Sequence, residues 1–203
     1  LEYGLLEMPI LPRTFYRQKT LHTAKALLGK ILVRKSGSII LKGKIVETEA
    51  YLRNDPACHA FRGMTERNTV MFNRGGFLYV YFTYGMHYCA NVVTYKEGYG
   101  EAVLIRAVQP LEGIRTMMRN RGIRANARNP NVHLTNGPAK CAQAFGFTTK
   151  HSGIDLCDNK IFIVDAEPIS RSQIVATTRI GISAAQEKQW RFYIKDNPWV
   201  SKK

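Results

Sequence analysis

Apolar positions along the chain change their spacing several times, and each change marks an element. In "KTLHTAKALLG" (19–29), Leu21, Ala24, Leu27 and Leu28 recur at helical spacing and Gly29 supplies a stop, so the pattern predicts a helix. "KILVRK" and "IILKGKIVETEAYL" follow as strands around a Ser-Gly-Ser turn, a hairpin. Residues 53–76 are polar, rich in Arg and Asn, and end in Gly75-Gly76, which predicts a loop containing a helical turn. Strand-like stretches at 77–83 and 88–95 flank Thr83-Tyr84-Gly85-Met86, and "EAVLIRAVQP" is a further strand closed by Pro110. "LEGIRTMMRNRG" predicts an amphipathic helix that buries Ile114, Met117 and Met118 and ends at Gly122. Residues 123–137 form the most loop-like segment, after which Pro138 opens a short helix, "PAKCAQAFG", stopping at Gly146. Short strands around 161–164, 177–182 and 191–194 complete the pattern. Strands mixed with a few helices, without regular βαβ alternation, define an α+β chain.

A chain of 203 residues with 45% hydrophobic and 22% charged positions has the make-up of one ordinary globular domain. No apolar run approaches the roughly 18 to 20 residues that span a bilayer, and the first residues lack the basic-then-apolar layout of a signal peptide. Cys58, Cys89, Cys141 and Cys157 lie far apart with no C-x-x-C pair, a pattern of reduced thiols in a cytosolic or nuclear compartment rather than of a metal site. The expectation is an intracellular, soluble protein. Charge changes the picture more. The chain carries 30 Lys and Arg against 15 Asp and Glu, a formal +15. Such a surface attracts polyanions, and nucleic acid is the commonest of them. An anionic membrane is the poorer partner, because no stretch joins a basic face to a strong apolar stripe.

Candidate chemistry begins in "IVETEAYL" (45–52). Alternate side chains of a strand share a face, so Glu47, Glu49 and Tyr51 would lie opposite Val46, Thr48 and Ala50. Two acids there are either a solvent-facing edge with its acids in water, or one of the carboxylates is partly buried and acts as a general base. Arg106 sits in the middle of "EAVLIRAV", where a guanidinium needs an anionic partner because an unpaired buried charge is costly. Glu47 or Glu49 would satisfy it, as a structural ion pair or as part of a site. His59, in "DPACHAF", is structural, exposed or functional on the pattern alone. In "FLYVYFTYGMHYCANVV" (77–93), Tyr79 and Tyr81 share a strand face, and Tyr84 sits at the turn beside Gly85. These rings either fill a core or place an aromatic at a hairpin tip. A tip of that kind can wedge into a DNA minor groove, with a second aromatic inside on which an extruded base can stack.

"VETEAYL", a downstream His, "ERN..MF", "G.LYVYFTYGMHYCANVV", "AVLIRAVQPLEG", "NGPAK", "WRFY" and "WVS" occur in that order. From about residue 13 to 201 the chain thereby resembles the alkyladenine DNA glycosylase family, also called the 3-methyladenine or N-methylpurine family. The resemblance implies one α+β catalytic domain over residues 1–203, with a mixed or antiparallel curved β-sheet, surrounding helices and a protruding β-hairpin. It implies a monofunctional enzyme of base excision repair that uses no metal or cofactor. Such an enzyme binds double-stranded DNA containing damaged purines from the minor groove, flips the base out and hydrolyses its N-glycosidic bond. By motif, Glu49 is similar to the family's general base and Arg106 to the arginine that helps hold the attacking water. Tyr51 and Tyr81 match the aromatic walls of the base pocket, and His59 its edge. Asn91 matches the side chain that would collide with the 2-amino group of guanine. Tyr84 matches the residue that enters the duplex, with Met86 and Lys140 as further DNA contacts. The corresponding compartment is the cytoplasm or nucleoid of a bacterium, or the nucleus of a eukaryote. Nothing in the pattern demands a symmetric interface, so a monomer is expected.

The chain departs from the family's pattern in places. The segment between Tyr51 and His59 is slightly shorter, which would reshape the pocket edge. Arg119, Arg121, Arg124 and Arg128 crowd a region where family loops vary, and read as phosphate contacts or as a solvated loop. Two other readings stay open. One is a nucleic-acid-binding module in which Glu49 and Arg106 form only a structural ion pair, marked by binding without turnover. The other is a small-molecule enzyme on a formyltransferase-like fold, which leaves the +15 charge and Tyr84 unexplained.

Overall fold

The computed structural model describes residues 8–124 and 133–201. Its strands are β1 (Ile31–Ser36), β2 (Ile39–Tyr51), β3 (Leu78–Thr83), β4 (His87–Thr94), β5 (Glu101–Glu112), β6 (Ile161–Val164), β7 (Ile174–Thr177) and β8 (Arg191–Ile194). The α-helices are α1 (Arg13–Tyr16), α2 (Thr20–Ala26), α3 (Ile114–Asn120) and α4 (Pro138–Ala144), with a 3-10 helix at Glu66–Phe72. The strands form one curled sheet in the order β3-β4-β5-β2-β1-β6, and every ladder between them is antiparallel. This is a single α+β domain.

Strand β2 organises the sheet. On one edge its first half pairs with β1 and its later residues Glu47–Glu49 pair with β8, which in turn holds β7. Strand β5 runs along the other edge. Both acids therefore sit in the middle of the sheet, and each is completely buried rather than facing water from an edge. Two irregularities lie opposite each other here. Ile45 pairs with Val108 and Glu47 with Ala107, which leaves Val46 extra on β2; Thr48 then pairs with Ile105, which leaves Arg106 extra on β5. Bulges of this kind bend a strand and re-aim a side chain, and the second one aims the Arg106 guanidinium between the two acids.

The expected helix at 19–29 is α2, which packs on β2, β5 and β8 through Ala24 and the buried Leu27 and Leu28 at its end. Thr48 Oγ1 donates to the Ala24 carbonyl at 2.9 Å, so the face of β2 opposite the acids is tied to this helix. Helix α4 covers β4 and β5, and α3 packs on α4 with Met117 and Met118 buried. Full burial of such side chains stabilises the fold by about 1.5–3 kcal/mol each.

Several boundaries differ from the pattern, each for a local reason. Strand β5 continues past Pro110 to Glu112, because the ladder skips Leu111 there and proline is tolerated at such an irregularity. The polar stretch 53–76 contains a two-turn 3-10 helix, Glu66–Phe72, started by a capping box in which Asn68 Oδ1 accepts from the Thr65 amide at 2.6 Å. The strand expected at 177–182 lies earlier, at Ile174–Thr177, and residues beyond Thr177 leave the sheet for the edge of a cavity. Most of the loop-like segment 123–137, with Arg128, lies outside the described residues.

Candidate active site

Three strands and one irregular segment bring the buried charges together. Glu47 is saturated. Its Oε1 accepts from Arg106 Nε (3.0 Å), Arg191 Nη1 (2.9 Å) and Ser201 Oγ (2.9 Å), and its Oε2 from the Ser201 amide (2.7 Å). Glu49, two residues on, has different neighbours. Its Oε2 accepts from the Tyr51 hydroxyl at 2.8 Å; its Oε1 accepts from the Ile180 amide at 2.8 Å and lies 3.2 Å from Arg106 Nη1. Burial works against the Arg106 charge, but Glu49 and Glu47 together outweigh it and hold the guanidinium protonated beyond its usual range. Burial and the neighbouring Glu49 push the Tyr51 phenol well up, so it stays a donor to that carboxylate.

Tyr51, Arg106 and Ile180, the partners of Glu49, all line a cavity of about 470 Å³. Its other walls include His59, Tyr79, Tyr81, Asn91 and Tyr84. The volume lies within the range of small-molecule sites. Glu49 is thus held just behind the lining, with every one of its partners at the surface of the cavity.

Strand geometry explains who reaches this space. Tyr79 and Tyr81 alternate on one face of β3, with ring centroids 5.6 Å apart. Asn91 stands opposite Tyr79 on β4, and its Nδ2 donates to the Tyr79 carbonyl at 3.1 Å, which fixes the amide at the cavity wall. The His59 ring packs edge-on against Tyr81 at 4.4 Å, and its Nδ1 lies 3.1 Å from the Tyr79 hydroxyl. Burial, with a smaller contribution from Arg67, lowers the His59 pKa to about 4, so the cavity edge carries a neutral imidazole. Burial raises Tyr79 to about 12 and holds Tyr81 higher still.

At the end of the β3–β4 hairpin, Met86 N donates to the Thr83 carbonyl, and both Tyr84 (φ +51°) and Gly85 (φ +65°) are left-handed. That pairing is the signature of a type I′ hairpin turn. Glycine enters it freely, but a tyrosine there is strained by about 1–3 kcal/mol, a cost that collects at functional positions. The turn leaves Tyr84 79% and Met86 70% exposed. Tyr84 borders the cavity; Met86 stands at the tip outside it. Lys140, on α4, is apart from both: its Nζ donates to Oδ1 of Asn136, which precedes the helix, at 2.9 Å, while Pro138 of α4 reaches the cavity.

Sequence reasoning missed the fourth wall, Ile180–Ala184. It is pinned by Arg179, whose side chain is fully buried. Arg179 Nη2 donates to Asp55 Oδ1 at 2.9 Å and Nη1 to the Ala50 carbonyl at 3.0 Å, with a second Asp55 contact through Nη1. The guanidinium also stacks 4.8 Å from the centre of the Tyr51 ring and 5.2 Å from that of Trp190. One residue later the Ile180 amide meets Glu49. A backbone donor leaves no trace in a single sequence, whereas Arg191 and Ser201, which hold Glu47, fall inside the "WRFY" and "WVS" motifs.

A curled antiparallel sheet, an aromatic cavity over a buried acid and a basic surface with an aromatic hairpin tip form the outline of a base-excising enzyme. The sequence profile of the family described as Methylpurine-DNA glycosylase (MPG) matches residues 14–198. A protein of Carboxydothermus hydrogenoformans is 51% identical over 195 residues, covering 96% of this chain and 100% of its own. One of Francisella tularensis is 51% identical over 190 residues, covering 92% and 96%, and one of Prosthecochloris aestuarii 48% over 192 residues, covering 94% and 90%. All three bear the provisional name 3-methyladenine DNA glycosylase. The chain belongs to the methylpurine-DNA glycosylase family and is a DNA glycosylase, a hydrolase of DNA repair acting on the N-glycosyl bond. Its substrate is DNA.

Proposed function

We propose that the chain is a monofunctional glycosylase that removes alkylated or deaminated purines of the 3-methyladenine, 7-methylguanine, hypoxanthine and ethenoadenine class from duplex DNA. The observation that carries this reading is Glu49, buried and oriented by Tyr51, Arg106 and the Ile180 amide immediately behind an aromatic cavity.

In this reading Tyr84 fills the gap left in the duplex and the flipped base lies between Tyr51 and Tyr81. Stacking on such rings is worth about 1–3 kcal/mol per base and tolerates many purine shapes. A cationic base such as 3-methyladenine is attracted further by the ring faces. Asn91, its amide fixed by Tyr79, disfavours the 2-amino group of guanine, so unmodified guanine is rejected while 7-methylguanine is released through its cationic, weakened glycosidic bond. Neutral His59 closes the pocket edge without repelling a cation. Glu49 takes a proton from a water held with the help of Arg106, the water oxygen bonds to the sugar C1′, and the C1′–N bond breaks with its electron pair leaving on the base. The product is an abasic site. A carboxylate acting through water forms no Schiff base and leaves the strand intact, and a described cavity lining without lysine is in keeping with this. Met86 and Lys140 are proposed DNA contacts, the enzyme works as a monomer, and its place is the bacterial cytoplasm or nucleoid. Among the described residues no helix is long and apolar enough to cross a membrane.

The test is incubation with an end-labelled duplex carrying one hypoxanthine, analysed with and without alkali. Strand cleavage that depends on alkali is the expected result; cleavage without alkali would contradict the monofunctional mechanism.

A further inference from the structure

Large apolar side chains that remain exposed are unevenly distributed. Among the described residues, Ile39 and Leu111 lie far from the cavity along the sheet, near the start of β2 and the end of β5. The others fall on two neighbouring segments: Phe82, Tyr84 and Met86 on the hairpin, and Phe61 (48% exposed) and Met64 (59%) on the loop that follows His59. The segments are joined, since Arg67 Nη2 donates to the Phe82 carbonyl at 3.0 Å and its guanidinium lies over the Tyr81 ring.

The display of Phe61 and Met64 is built. The buried Asn68 side chain donates to both the His59 and Gly63 carbonyls, at 2.9 and 3.0 Å, and clamps the loop from beneath. The Phe61 and Gly63 amides close successive turns onto Cys58 and Ala60. Exposed Arg62 and Arg67 flank the apolar pair. Apolar groups between arginines suit a duplex groove, where the former meet sugar and base edges and the latter phosphates.

We propose that Phe61 and Met64 form a second apolar prong that packs into the minor groove beside the flipped nucleotide, so that the enzyme grips the duplex between this loop and the Tyr84–Met86 tip. The proposal rests on the functional reading above. It gives the loop after His59 a DNA-positioning role, distinct from the pocket edge that His59 itself forms.

Affinity for a duplex containing a stable abasic analogue tests it, because that probe needs no base release. Phe61→Ser with Met64→Ser should weaken binding about ten-fold or more while the slope of log Kd against log salt stays as in wild type. The pair Phe61→Leu with Met64→Leu should restore most of the affinity. Arg62→Ala should instead flatten the salt slope by about one. Wild-type affinity in the double serine variant would overturn the prong. So would a loss that leucine does not rescue and that tracks a lowered melting temperature, or a change of oligomeric state with DNA affinity intact. Release of hypoxanthine by the wild type is followed in parallel. Its absence would count against the functional reading, while the abasic-duplex affinities would still decide the prong.

Discussion

Glu47 and Glu49 are equally buried and share one arginine, yet their surroundings differ. Glu47 is closed off by Arg191 and Ser201, which match its charge from a second side beyond Arg106. Among the described residues, the hydrogen-bond and ion-pair partners of Glu49 line the cavity. The sequence announced the pair and its arginine but not the division, because the deciding partners arrive from residues 180, 191 and 201. His59 allows a test of burial at the same scale. Its pKa falls from the ordinary 6.5 to about 4 in the fold, so between those values the unfolded chain binds the extra proton. Stability due to neutral His59 is therefore full above pH 6.5 and declines as the pH falls toward 4. Melting curves of His59→Gln should lose less stability than wild type across that window, and parallel losses would show that its charge is not excluded. Asn91→Ser removes the fixed amide from the wall. Release of unmodified guanine should become measurable, and no gain there would remove the exclusion role.

Among the elements, the β3–β4 hairpin was the most legible. Alternating aromatics followed by Tyr-Gly encode both the strand and its turn, and the turn chemistry is local. The strained φ of Tyr84 makes sense if its ring is wanted outside the protein. Tyr84→Gly should relieve strain and raise the melting temperature slightly, and both Tyr84→Gly and Tyr84→Ser should weaken affinity for a lesion duplex by about ten-fold, the scale of one lost aromatic contact. Unchanged affinity would remove the wedge role. The segment after β7 was the least legible. Its strand was expected at 177–182, but what fixes Ile180–Ala184 is the Arg179–Asp55 pair reaching back more than a hundred residues. No local periodicity records such a contact. The bulges at Val46 and Arg106 were hidden for the same reason, since they exist only in the pairing of two distant strands.

For the whole molecule, α+β class and a basic surface were readable at once, because composition and alternating periods carry them. The curl of the sheet and the forked pairing of β2 were not, and these are what bring β2, β5, β8 and the C-terminal residues around one buried cluster. In the proposed mechanism Glu49 does the chemistry while Glu47 holds the cluster. Single-turnover release of hypoxanthine, with melting temperature and lesion affinity measured alongside, tests it in Glu49→Gln and Glu47→Gln. Glu49→Gln should slow release by about 100-fold or more while lesion binding persists. Glu47→Gln should mainly lower the melting temperature, with release surviving in the folded enzyme. Wild-type release by Glu49→Gln, or loss of release in a fully stable Glu47→Gln, would contradict it.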